Sequence, residues 1–116
     1  EGEWSSRIDD CKALVPEDKH THYCQGVFPD CIGAQVIATF GVGFSFVYVD
    51  MDTSMSTTDA IAFFWGLLVP GGKLFFDDYG WEPCAGVKMS VDAAFPEDMR
   101  SVIQSHHTCI VEKPRG

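Results

Sequence analysis

Two stretches decide how this chain is read: Phe44-Ser-Phe-Val-Tyr-Val-Asp50 and Lys73-Leu-Phe-Phe-Asp-Asp78. Each is a nearly unbroken run of apolar and aromatic residues, the pattern of a strand buried on both faces. Between them Ala60, Phe63, Phe64, Leu67 and Leu68 recur at i, i+3, i+4, i+7 and i+8, which predicts a helix over Thr57–Leu68. Pro70-Gly-Gly72 is expected to stop it. Strand, helix, strand makes a βαβ unit, and that implies a parallel pair with a right-handed crossover.

Outward from this unit the signals weaken. Ser6–Val15 reads as a short helix capped by Ser5 or Ser6 and ended by Pro16. His20–Val27 reads as a strand, followed by a Phe28-Pro29-Asp30 turn. In residues 31–40, Ile32, Val36 and Phe40 keep helical spacing while Gly33 argues against it. After the second strand a helix is expected over Ala85–Phe95. Another opens at Pro96-Glu-Asp98 and reaches Gln104, and a closing strand covers His107–Glu112. Alternating strands and helices place the chain in the α/β class.

The 116 residues form one domain, 1–116, by size. Eight Lys+Arg against seventeen Asp+Glu give a net charge of −9. A surface this acidic repels phosphate backbones and anionic lipid, so nucleic acid and membrane are excluded as first partners. The longest apolar run, Ala60–Val69, is too short to span a bilayer. Glu1-Gly-Glu-Trp4 is not a signal peptide and no initiator Met precedes it, so a cytoplasmic piece of a longer product is expected. Five cysteines with no C-x-x-C pair fit reduced, packed thiols better than a zinc site or a disulfide framework.

Chemistry enters at the strand ends. Asp50 closes the first strand; Asp77 and Asp78 close the second. In a parallel pair both carboxyl ends lie on one edge of the sheet, the edge where open α/β folds bind ligands. Carboxylates gathered there repel one another unless one is protonated or a cation sits among them. An all-oxygen set suits Mg²⁺ or Mn²⁺. Any one of these acids alone is better read as a cap or loop residue; the set at matching ends is read as functional. Asp50-Met-Asp52 also fits the D-x-D of metal-dependent glycosyltransferases, a rival reading that would use Asp52 and ignore Asp77 and Asp78. Gly41-Val-Gly43 is no dinucleotide fingerprint, and neither a P-loop nor G-x-S-x-G occurs. His20, His22, Cys24 and Cys31 have no fixed geometry, and His106-His107 reads as an exposed pair before an edge strand.

Three segments carry a family likeness: Val47-Tyr-Val-Asp-Met-Asp-Thr-Ser-Met-Ser-Thr57, Leu68-Val-Pro-Gly-Gly-Lys-Leu-Phe-Phe-Asp-Asp-Tyr-Gly80, and Cys84 through Val91-Asp92. Together they resemble the macrocin O-methyltransferase (TylF/MycF) family of class I S-adenosylmethionine-dependent enzymes. Gly2-Glu-Trp-Ser-Ser6 and Gln25-Gly-Val-Phe-Pro-Asp30 resemble the family's preceding segments. The resemblance implies a Rossmann-like class I methyltransferase fold with a parallel-rich sheet. It also implies methyl transfer to a hydroxyl of a sugar or other small molecule. Asp50, Asp77 and Asp78 would hold Mg²⁺ or Mn²⁺, and Asp50 would also lie near the methyl donor. Val27 and Phe28 would approach its adenine. Tyr79 and His106 are the candidates for a general base. The chain departs from the pattern in placing Ser54 or Met55 where the family has a tyrosine after D-x-D. The glycine-rich first turn and the ribose-binding acid are absent too. The expectation is therefore a domain without its first strands, a weak hold on S-adenosylmethionine, and homo-oligomers formed through an uncovered strand edge. A non-catalytic methyltransferase fragment is the remaining alternative.

Overall fold

A computed structural model describes residues 9–19, 21–24, 28, 32–41, 43–51 and 53–115. Residues 9–14 form α1. There follow α2 (Ile32–Phe40), β1 (Phe44–Val49), α3 (Ser54–Phe64), β2 (Leu68–Phe76), α4 (Ala85–Ala94), β3 (Arg100–Ile103) and β4 (Thr108–Glu112). The sheet order is β1-β2-β4-β3. As the βαβ reading requires, β1 and β2 are parallel. The strand β4 runs antiparallel to both β2 and β3, so the four-stranded sheet is mixed.

The register sorts the side chains by face. Val47, Leu74 and Val111 align across the sheet, as do Val49, Phe76 and Cys109. On this face α3 and α4 pack, contributing Thr57, Ala60, Val87 and Val91, with Phe95 at the end of α4, to a core in which Leu74, Phe76, Cys109 and Val111 are fully buried. The other face aligns Phe46 with Lys73 and Glu112, and Tyr48 with Phe75 and Ile110. Phe46 is 55% and Tyr48 52% exposed, so β1 is covered on one face, not two. The helices α3 and α4 pack side by side on the covered face.

Several boundaries differ from the sequence reading. The helix α3 ends at Phe64, because Trp65–Leu67 tightens into a 3₁₀ turn. The Lys113 ammonium then takes the Trp65 and Leu68 carbonyls at 3.0 and 2.9 Å. Pro70-Gly-Gly72 lies inside β2 instead of before it. Phe44 pairs with Leu68 but Phe46 with Lys73, so the glycine segment bulges out between them. A Cβ on Gly72 would meet the Val69 and Phe44 carbonyl oxygens at 2.9 and 3.1 Å, which is why glycine stands there.

The Gly33 that weakened the α2 assignment is explained similarly: its Cβ would strike the Phe63 ring at 2.9 Å. Residues 21–24 are loop, not strand. Their backbone is held locally, since the Asp18 carboxylate accepts from Thr21 N–H and Glu17 from Tyr23 N–H. The expected helix after Pro96 lasts one 3₁₀ turn, Glu97–Met99, before Arg100–Ile103 pairs with β4. Its β-branched Val102 and Ile103 suit the ladder. The same pairing makes β4 an inner strand.

The free edge of β1 carries no charge and no proline to blunt it, and no strand pairs with it among the described residues. The isolated chain is expected to self-associate there, more at high salt, where screening weakens the repulsion between molecules of charge −9. Sedimentation at low and high ionic strength tests this; a monomer at every concentration in both would overturn it.

Candidate metal centre

Parallel pairing of Val49 with Phe76 sets the two strand ends side by side, and Asp77 N–H donates to Val49 C=O at 2.9 Å. Asp50 and Asp77 therefore leave the sheet at one edge. Asp78 joins them by a backbone device. Its φ is +61°, a left-handed value uncommon for a residue other than glycine. One carboxylate oxygen from each of Asp50, Asp77 and Asp78 lies within 4.8 Å of the others. Asp50 is exposed; Asp77 and Asp78 are half-buried. Three carboxylate oxygens within that distance are the hard donors a divalent cation takes.

One neighbour was not apparent in the sequence. Tyr48 points to the same edge from β1, two residues before Asp50. Its phenol is pushed above the ordinary value of 10.0, first by desolvation and then by the Asp77, Asp50 and Asp78 carboxylates. The i, i+2 spacing of Tyr48 and Asp50 was the available signal.

Tyr79 is placed differently from the expected base. Its ring is buried, and its hydroxyl donates to Asp92 Oδ1 of α4 at 2.5 Å. Burial and that hydrogen bond push the phenol up to about 12. A phenol spent as a donor to a carboxylate is poorly disposed to accept a proton. Asp92 also pairs with Lys88, at 2.5 Å, and with Arg100. Burial pushes the Asp92 carboxyl up, but hydrogen bonds from Lys88 and Tyr79 outweigh it and hold it below its ordinary range.

His106 and His107 sit in the β3–β4 turn on the same sheet edge, and His107 C=O accepts from Tyr79 N–H at 2.8 Å. Both are exposed. The His106 Nδ1 is 2.8 Å from Ser105 Oγ. Phe28, expected near adenine, is engaged by the Phe63 and Phe64 rings at 5.4 and 5.8 Å. Val27 and the Asp52 of the rival D-x-D lie outside the described residues. A cavity of about 240 Å³ lies between Gly80–Glu82 and α4, its walls including Trp81, Lys88, Met89 and Asp92 and none of Asp50, Asp77 and Asp78.

No family model matches the chain, and no curated protein matches it by sequence. Among solved structures it is similar to the one titled "Structure of the O-methyltransferase NovP", at 22% identity and a TM-score of 0.52. The match covers 61% of this chain and 30% of that one. The matched part of the chain thus shares its α/β fold with about 30% of that protein's length. No helix among the described residues is long and apolar enough to cross a membrane.

Proposed function

We propose that the chain supplies the metal-binding acids of an S-adenosylmethionine-dependent O-methyltransferase of the macrocin type. Its acceptor would be a hydroxyl of a sugar or other small molecule. The observation that carries this reading is the convergence of Asp50, Asp77 and Asp78 at the carboxyl ends of adjacent parallel strands. The likeness of fold to an O-methyltransferase supports it. The glycosyltransferase alternative has no comparable support, because it leaves Asp77 and Asp78 without a part.

A divalent ion held by the three acids would act as a Lewis acid that lowers the pKa of a bound hydroxyl. The chain's own contribution is to fix the three carboxylates at one sheet edge. A hydroxyl held on an ion at those acids would lose orientational freedom before reaction. For the methyl donor the described residues offer Asp50 alone. Phe28 is occupied by its neighbours, and the sequence holds no glycine-rich strand–helix turn. These residues do not by themselves fit a donor site.

Calorimetric titration with Mn²⁺ tests the metal site. Asp77→Ala and Asp78→Ala should each weaken binding about tenfold or more, since a charged ligand is lost from a set of three. Equal affinity in the wild type and both variants, or no binding by the wild type, would overturn the reading.

A further inference from the structure

Successive side chains of an extended strand point to opposite faces. Asp77 and Asp78 are successive, yet their carboxylates meet at one point. The left-handed backbone of Asp78 is what breaks the alternation. Such a conformation persists in a non-glycine residue only where its surroundings over-determine it. Those surroundings can be named. Asp77 N–H is tied to Val49 C=O, and Tyr79 N–H to His107 C=O. Trp81 N–H returns to Asp78 C=O at 3.2 Å, closing the turn. These backbone bonds fix the two ends of the segment. The side-chain anchor is the Tyr79 hydroxyl, bonded at 2.5 Å to Asp92. Asp92 is itself clamped by Lys88 from its own helix and by Arg100 from the start of β3. The Tyr79 ring is buried, and the Arg100 side chain is only 15% exposed. One carboxylate therefore ties α4, β3 and the acidic turn together.

We propose that Tyr79 and Asp92 are positioning residues that hold Asp78 left-handed, so that two neighbouring carboxylates face one cation. Neither touches the ion; both act through Asp78. The inference rests on the metal-site reading above and assigns a part to a tyrosine and a helix acid that reading leaves without one. It also accounts for the buried Tyr79 hydroxyl being spent on Asp92.

The test uses Mn²⁺ as probe on the 116-residue chain, at a temperature where circular dichroism shows each variant folded. Tyr79→Phe keeps the ring and removes the hydroxyl. Asp92→Asn serves beside it, and alone if Tyr79→Phe does not fold. Val87→Ala is the control. Val87 is buried on the same helix and in the same core as Tyr79, so its truncation loosens that core while leaving the Tyr79–Asp92 hydrogen bond in place. Tyr79→Phe and Asp92→Asn should each raise the dissociation constant for Mn²⁺ about fivefold, the weight of one hydrogen bond. Val87→Ala should lower the melting temperature and leave that constant unchanged. Unchanged affinity in Tyr79→Phe and Asp92→Asn, with tight binding by the wild type, overturns the positioning role and spares the metal site. An equal loss in Val87→Ala also overturns it, because general loosening would then explain the effect. No binding by the wild type removes the metal reading itself, and this proposal with it.

Discussion

Gly86→Val should destabilise the protein by about 3 kcal/mol, the upper end of what overpacking a close contact costs. Gly86 is the second residue of α4, where helix propensity alone would favour any side chain over glycine. The contact with α3 reverses that preference. A Cβ at Gly86 would come within 2.8 Å of Ser54 N and 3.1 Å of Ser54 Cβ, both parts of a helix start that cannot swing aside. One turn later the buried Ser90 completes the joint. Its hydroxyl donates to Ser54 C=O at 2.8 Å and accepts from Thr58 Oγ1 at 2.9 Å. The two helices are thus seated on small and hydroxyl-bearing residues, and α3 and α4 are what bury the sheet face carrying Leu74 and Phe76. A domain of this size has only about 5–15 kcal/mol to lose. Urea unfolding of wild type, Gly86→Ala and Gly86→Val should give a graded fall in midpoint. A stabilised Gly86→Ala, as propensity alone would give, would show that the helices separate without cost.

The centre of the molecule was legible because its signals are local and agree. Phe44–Val49 and Lys73–Phe76 are long apolar runs, the helical period lies between them, and a parallel pair follows from the connection length. Once the pair is parallel, Asp50 and Asp77 must share an edge. What the sequence hid was decided by tertiary partners. Pro96-Glu-Asp98 is a sound helix start, yet β4 offered Arg100–Ile103 a ladder, and pairing outweighed propensity. Tyr79, beside two acids, is one of two candidate bases in the sequence, with His106. Its hydroxyl is turned by Asp92, thirteen positions along the chain, to which no short pattern points. The exposure of Phe46 and Tyr48 was equally invisible, because a continuous apolar strand does not reveal which faces its helices cover.

Asp77→Asn should make the metal-free protein more stable and the metal-bound protein less so, relative to wild type. Like charges about 5 Å apart repel by on the order of 1 kcal/mol per pair in water, and by more where water is partly excluded. Asp77 is half-buried and faces two such neighbours, Asp50 and Asp78. Removing its charge while keeping its shape should therefore raise the stability of the metal-free chain by about 1 kcal/mol, with Asp50 exposed enough to keep the gain small. Added metal reverses the order. A ligand at a hundred times its dissociation constant stabilises the state it binds by about 2.7 kcal/mol, and a variant whose own constant is raised tenfold or more forgoes about half of this or more. The two melting temperatures should cross between chelator and saturating Mn²⁺. A variant less stable than wild type even in chelator would make Asp77 a structural residue of the turn. A variant that gains as much from Mn²⁺ as the wild type does would take Asp77 out of the metal site. Only the crossing is expected of an acid kept in a repulsive cluster for the sake of a cation.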